Sequence, residues 1–500
     1  MKTIFTLFAL IISFTISAQT INIPDVNFKA YLVENPEINT NGDGEIQVSE
    51  ANSFIGKIDC QGRNISDLKG IEHFTELTAL NCASNKLTQL DLSKNIKLNT
   101  MECTFNQLTA LDISKNQLLK QLICVGNELE NLDLSKNTPL NYVNCAVNKL
   151  TTLDISKNIN LNFLDASVNM LSELDVTKNN FLYLLHFSSN QIHNIDLSNN
   201  LILNDLNCSA NPISNLNLQN NLGLTSLSCS NSLVTNFDIS KNIQLKYFSS
   251  TFNNLEALDL SKNTKLETID CRYNNLTTLD TSNHSFLRDL YISGNQFATF
   301  DLSNNLSLEQ LHCDNNKFVT LDLSKNLNIK VLWCSENQMK NLDLSKNEKL
   351  TNIDLEKNNL TSLNLKNNHN SLIFPAYEYS YRAFSTLNNP ELKCIQVDDI
   401  NYSNTYWLNR DSWTNFNTNC SLSVNDIKKS TIQIYPNPVK DTFIINTNDK
   451  IENVEMYSQT GQLLKTAKSK EVDISNLPKG NYLVKIKTDK DNITQKIIKE

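Results

Sequence analysis

The 500-residue chain is short of what most catalytic sites are built from. It has six histidines and ten glycines, and those glycines form no G-x-G-x-x-G loop, Walker loop or nucleophile elbow. Phosphate cradling and acyl transfer by those routes are excluded. Basic runs are absent, and a net charge of -9 with 19% charged residues argues against nucleic acid and anionic membrane surfaces as partners. Beyond Ile16 no apolar stretch approaches the roughly 20 residues a membrane-spanning helix needs. Cysteine is plentiful at twelve, but no C-x-x-C pair occurs, so a zinc site is not indicated.

What the chain has in abundance is a repeat. The stretch Leu87 to Gln107, LTQLDLSKNIKLNTMECTFNQ, is one full unit. Its LDLSKN block recurs at a strict spacing of 21, from Leu90 through Leu111, Leu132 and Leu153 to Leu363. Between the blocks lies a weaker copy, L-x-C-x-x-N-x-L, at Leu80, Met101, Leu122, Val143, Leu164 and on to Ile353. In each half, apolar and polar residues alternate over three positions, the mark of a short strand with one buried face. One such strand cannot bury its own face, whereas stacked coils share a continuous core. At about 4.8 Å per coil the expected object is a β-solenoid about 65 Å long.

The slots of the repeat are informative. Nine cysteines (Cys82, Cys103, Cys124, Cys145, Cys208, Cys229, Cys271, Cys313, Cys334) share one inward slot with Ala166, Phe187, Ser250, Ile292 and Leu355. A slot that accepts Ala, Phe and Leu is a packing slot, so a reduced, buried cysteine ladder is expected, its parallel side chains poorly aimed for disulfides. Cys60 falls in the same slot of an irregular first coil. Cys394 and Cys420, outside the ladder, are the pair expected to bridge. Asparagine holds both turn slots except at Ser232 and His284, each preceded by an asparagine (Asn231, Asn283), so a local shift of the turn is expected there. Asp recurs beside the strand in twelve of fourteen coils and reads as a solvated face.

Leu77, Leu80, Cys82, Asn85 and Leu87 match L-x-x-L-x-L-x-x-N-x-L, and residues 58–370 resemble the bacterial, 21-residue nested class of the leucine-rich repeat family. The resemblance implies a curved solenoid that serves as a recognition surface or scaffold and has no activity of its own. The expected fold class is mainly β: a solenoid of 21-residue coils, a short helical N-terminal cap and a small C-terminal β-sandwich.

The flanks read as follows. Residues 1–19 have Lys2, an apolar run from Ile4 to Ile16 and small residues at Ser17 and Ala18, the pattern of a secretory signal peptide. Residues 20–57 form an N-terminal cap, with a short helix from Pro24 to Glu34 presenting Val26, Phe28, Tyr31 and Leu32. There follows NTNGDGEIQVSE, which fits the twelve-residue EF-hand loop, with Asn39, Asn41, Asp43, Glu45 and Glu50 as candidate calcium ligands. A metal-free turn that docks the helix on the first coil is the alternative. Residues 371–424 lose the period and read as a C-terminal cap with Phe374, Tyr377, Tyr379 and Tyr381 as its lid, and 425–431 as a linker.

Residues 432–500 show about seven alternating runs split by turn signals, which argues a small β-sandwich. Tyr435, Pro436, Asn437, Pro438, then Gly461, then Leu477, Gly480 and Tyr482, followed by a lysine-ended last strand, make this segment similar to the type A sorting domain of the type IX secretion system. That resemblance implies export by the type IX machinery across an outer membrane, with release or anchoring at the cell surface.

The outward slots beside the cysteine strand vary while the frame stays fixed. They carry Tyr247, Phe252, Arg272, Tyr273, Tyr291, His312 and Trp333, and earlier Tyr142, Phe163 and Leu184, a candidate recognition ridge. His186 and His312 stand six coils, about 29 Å, apart and form no dyad. The expected function is non-catalytic binding of a protein or glycan by a secreted or cell-surface module. A structural spacer of the cell surface is the alternative, and a polymer hydrolase using Asp205, Asp270, Asp289 or Asp314 is a weaker third.

Overall fold

A computed structural model describes residues 19–373, 384–420, 432–447, 449–458, 462–490 and 492–500. The signal peptide apart from its last residue, the aromatic lid (Phe374, Tyr377, Tyr379, Tyr381), the 425–431 linker and Gly461 lie outside them. The chain divides into two units, Met1–Asn419 and Cys420–Glu500. Among the described residues no helix is long and apolar enough to cross a membrane.

The first unit is the expected solenoid. The cysteine half of each coil contributes a short strand whose central side chain is buried, such as Phe163–Asp165 or Leu184–His186, whereas the LDLSKN half, also expected as a strand, forms one among the described coils only at Asn341–Asp343 and Ser362–Asn364. Successive strands pair in parallel one repeat apart, Tyr142 with Phe163 and Val143 with Leu164, and sixteen of them make one sheet. Leucines, isoleucines and the ladder cysteines below it merge into a single core running from Ile21 to Phe416.

Asparagine fixes the path of each coil. Asn106 donates through Nδ2 to the carbonyls of Cys82 and Cys103, both at 3.0 Å, and its Oδ1 accepts the Leu87 N–H at 3.0 Å. One buried amide thus ties three backbone groups of two coils. The second ladder works similarly, Asn116 Nδ2 donating to Leu92 and Asn95 carbonyls at 3.1 and 2.9 Å. The residue before the first ladder has positive φ in coil after coil, 51° at Phe105 and 58° at Val147, a conformation that a β-branched residue adopts only when its surroundings impose it. The aspartate column has a structural job too. Asp112 Oδ1 accepts the Ser114 N–H at 2.9 Å, and that bond holds its carboxyl below the usual range.

Three further expectations need correction. The chain path does not shift at Ser232 or His284. Asn231 has the positive φ of its slot, 49°, and Ser226 still pairs with Tyr247; the local change at Ser232 is confined to hydrogen bonding, Asn253 Oδ1 accepting the Ser232 N–H at 2.7 Å in place of the N–H two residues on. His284 still accepts from Asn305 Nδ2 through its backbone carbonyl, at 3.1 Å. The cysteine ladder is not wholly reduced. Cys313 and Cys334, adjacent rungs with Cα atoms 4.8 Å apart, are joined in a disulfide, within the span such a bridge requires. The other eight from Cys60 to Cys271 are free and buried, and burial pushes the Cys124 thiol up to about 12.

The third correction concerns residues 384–417, where coils resume after the spacing of 21 is lost. Ile353 pairs in parallel with Phe384, a step of 31 instead of 21, and strands Cys394–Gln396 and Asn415–Asn417 extend a second parallel sheet begun by Asn341–Asp343 and Ser362–Asn364. Asn389 stands in the ladder slot, donating to the Leu355 and Thr386 carbonyls at 3.0 Å. The described closure of this end is Trp407, fully buried and stacked 4.6 Å from Phe384.

At the other end, helix α1 (Val26–Glu34) buries Phe28, Tyr31 and Leu32, while Val26 faces solvent. Asp25 caps it, one oxygen accepting the Phe28 N–H at 3.0 Å and the other the Ser66 N–H at 2.7 Å, which fastens the helix to the first coil.

The second unit has two antiparallel sheets. One comprises Gln433–Tyr435, Thr442–Asn446 and Glu471–Asp473; the other Leu463–Ala467, Ile451–Tyr457, Gly480–Thr488 and Asn492–Lys499. They share a core of Ile434, Phe443, Val454, Met456, Val484 and Ile486, which is the expected sandwich.

Candidate recognition face

The structure sorts the ridge residues into separate columns. Tyr142, Phe163 and Tyr247 begin their strands; Tyr291, His312 and Trp333 end theirs; Phe252 and Tyr273 occupy the positive-φ turn slot. Columns bring together residues one repeat apart. Tyr291 lies 4.6 Å from His312, which stacks on Trp333 at 3.9 Å and 19°. Phe252 stacks on Tyr273 at 4.3 Å and 15°. Arg272 joins the two groups, its guanidinium 5.2 Å over the Tyr291 ring and held by both oxygens of Asp270, at 2.9 and 2.7 Å.

A groove of about 370 Å³ runs between the columns, lined among others by Arg272, Tyr273, His312, Asp314, Trp333 and Glu336. Asp314 is fixed in it, accepting from the hydroxyls of Ser293 and Ser335 at 3.1 and 2.8 Å. Gly294 is part of this construction. Its φ is +69°, and a Cβ there would lie 2.5 Å from the Tyr273 ring, so the ring lies across a backbone that only glycine leaves bare.

Not every ridge residue belongs. Tyr142 and Phe163 stack on each other at 4.0 Å and 9° but lie many coils from the groove. Tyr247 stands on the strand before that of Asp270, 38% exposed. Sequence reasoning missed Phe105, an exposed ring lying over Gly126 as Tyr273 lies over Gly294. The signal was readable: an aromatic followed 21 residues later by glycine in the same slot.

The carboxylates weighed for hydrolysis are each engaged. Asp205 pairs with His186 at 3.3 Å, Asp270 with Arg272, Asp314 with its two serines, and Asp289 accepts from the Thr268 hydroxyl at 3.2 Å. Burial raises the Asp289 carboxyl above its ordinary value, whereas the Asp205 carboxyl falls despite burial, because the neighbouring His186 and Ser226 side chains favour its charged form.

The Asn39–Glu50 loop is closed by its own hydrogen bonds. Glu50 accepts the N–H groups of Thr40 and Gln47 at 2.8 and 3.0 Å, one on each oxygen. Asn39, Asn41 and Asp43 accept the N–H groups of Gly42, Asp43 and Glu45. The Glu45 carboxylate pairs with Lys29 at 2.6 Å. Both oxygens of Glu50, the residue a calcium loop uses as its two-oxygen ligand, accept loop N–H groups in this structure.

The sorting-motif residues hold the second unit together. Asn437 exchanges two hydrogen bonds with the last strand, donating to Lys496 O at 3.0 Å and accepting the Ile498 N–H at 2.9 Å. The Tyr482 hydroxyl donates to Pro478 O at 2.6 Å, and Leu477 packs against the core. Tyr435 and Pro436 lead into that junction, Pro438 follows Asn437, and Gly480 opens the long strand.

Residues 433–500 match the secretion system C-terminal sorting domain family. The chain as a whole is similar to the functional domain of InlJ from Listeria monocytogenes, a structure that includes a cysteine ladder: identity is 27%, coverage 97% of this chain and 99% of that one, and the TM-score 0.67. It is also similar to a leucine-rich repeat protein of Leptospira interrogans (19% identity, 63% and 92% covered, TM-score 0.57). A third is YopM, a leucine-rich effector protein from Yersinia pestis (22%, 69% and 88%, 0.52). None of the curated proteins matches the sequence. The chain thus joins a leucine-rich repeat solenoid to a type IX sorting domain.

Proposed function

We propose that this protein is exported by the type IX machinery and acts at or beyond the cell surface as a non-catalytic binding module for a protein ligand. The face that binds is the groove between Phe252, Arg272, Tyr273, Tyr291, His312 and Trp333. The observation that carries this reading is the stacking of aromatic rungs on a rigid parallel sheet. Stacked rings spend their faces on each other and present edges, so few faces are left for a sugar to lie against, while tyrosine O–H and ring C–H edges, with the Arg272 guanidinium beside them, suit the carbonyls and carboxylates of a polypeptide. The test is binding of the purified chain to a panel of purified extracellular proteins and polysaccharides, beside Tyr273→Ala/Trp333→Ala. Protein binding weakened at least tenfold in the variant supports the proposal; polysaccharide binding would replace the ligand class, and unchanged binding would remove the face. No binding by either would favour the structural spacer.

A further inference from the structure

A second surface feature runs along the turn that follows the second asparagine ladder, away from the strand slots. There Ile159, Phe181, Leu201, Ile202, Leu222 and Ile243 place an exposed apolar side chain on each of five consecutive coils, each between 47% and 59% open. After one polar coil, at Thr264 and Lys265, the line resumes at Phe286, Leu306 and Leu327. Scattered exposed apolar residues are ordinary; a file of them at one turn, rung after rung, is not.

We propose that this line is the contact surface for a second copy of the chain, packed side by side in the antiparallel sense. Three observations favour that occupant. The side chains repeat with the pitch of the stack, about 4.8 Å. Another row of the same pitch can interdigitate over every rung, whereas an unrelated surface matches by accident at one or two. A two-fold axis through the coil of Leu201 makes the run self-complementary, Ile159 meeting Ile243 of the second copy and Phe181 meeting Leu222. The area is also sufficient. Six half-open side chains offer on the order of 600 Å² per copy, and flanking rungs bring this toward the ~800 Å² per partner of a stable interface.

The third observation is charge. The neighbouring column carries Lys157, Lys178, Lys241 and Lys262, but at the middle of the apolar run it carries Asn199 and Asn220. Their amides bond back to the previous coil, at Thr177 O (3.0 Å) and Ser198 O (3.1 Å), so this column has no lysine on the axial coil, and the two-fold sets Lys178 against the neutral Asn220 of the second copy.

Sedimentation of the full chain over a concentration series tests this, beside Leu201→Lys/Leu222→Lys and Tyr273→Ala/Trp333→Ala. The leucines are exposed, so the first variant should keep the wild-type melting temperature and circular dichroism. The expected result is a reversible dimer for wild type and for the aromatic variant, and self-association weakened at least tenfold in the leucine variant. A wild-type chain that stays monomeric, or a leucine variant that dimerises normally, overturns the proposal. So does flotation of monomeric wild type with phosphatidylcholine vesicles, which would assign the line to lipid.

Discussion

The solenoid and the C-terminal sandwich solve the same problem in opposite ways. Coils bury their strands against the coils before and after, so the core lengthens with every repeat and each side chain is answerable only to its neighbours. The sandwich closes one small core between two sheets, centred on Phe443, Val454 and Val484, with no repeat to share a loss. Display of a variable face needs the first arrangement, because slots such as those of Tyr291 and His312 change without disturbing the frame. A domain read by an export machine needs only to be present and folded.

The sharpest break of this comparison pairs two buried residues. Phe443→Ala should cost about 3 to 5 kcal/mol, comparable to the whole stability of a domain of this size, and abolish surface delivery. Leu206→Ala in the solenoid should cost about 2 to 5 kcal/mol but open only its own and adjacent coils. Hydrogen exchange and cell fractionation distinguish the two; a globally unfolded solenoid would contradict the local character claimed for it.

A smaller effect is expected from the ladder. Asn148 donates to Cys124 O and Cys145 O and accepts the Leu129 N–H; the two carbonyls also accept from Asn127 and Asn169, so Asn148→Ala strands the buried Leu129 N–H, at about 1 to 3 kcal/mol. Denaturant unfolding of the solenoid would show it, and an unchanged midpoint would deny the ladder its role.

Cysteine chemistry gives a third comparison. Buried thiols with raised pKa should resist alkylation in the folded chain. We propose that Cys394 and Cys420 also bridge, so unfolding without reductant should release eight of the twelve thiols. Two more would remove that second bridge, and all twelve free would remove the Cys313–Cys334 bond as well.

The smallest effect concerns Asn39–Glu50. We propose the metal-free docking turn for this loop, whose Glu50 serves loop N–H groups, so calcium and chelator should leave the melting temperature unchanged. A rise with calcium would instead assign Asn39, Asn41, Asp43, Glu45 and Glu50 as ligands.

Much of this was legible because the repeat is strict. A spacing of 21 fixed which residues face inward, and the period-2 alternation located the strands from Ala79–Asn81 to Asn352–Asp354, but it marked the LDLSKN half equally, where only Asn341–Asp343 and Ser362–Asn364 are strands. What escaped was whatever broke the spacing or depended on neighbours in three dimensions. The longer step from Ile353 to Phe384 hid the last coils, although Asn389 still sits in its slot. Phe252 and Tyr273 were assigned to the same ridge as Tyr291, yet a positive φ sends them into a different column. The apolar file from Ile159 to Ile243 occupies whichever of two adjacent turn positions is free, so no single slot announced it. The ladder disulfide was unreadable because Cys313 and Cys334 look like every other adjacent pair of rungs.

The most direct test of the central claim is the ligand's footprint. With a protein from the binding panel in hand, hydrogen exchange of the complex should show protection concentrated on the coils spanning Tyr247 to Glu336, and Tyr273→Ala/Trp333→Ala should erase it. Protection centred elsewhere on the solenoid, with the aromatic coils exchanging as in the free chain, would contradict the assignment of that face.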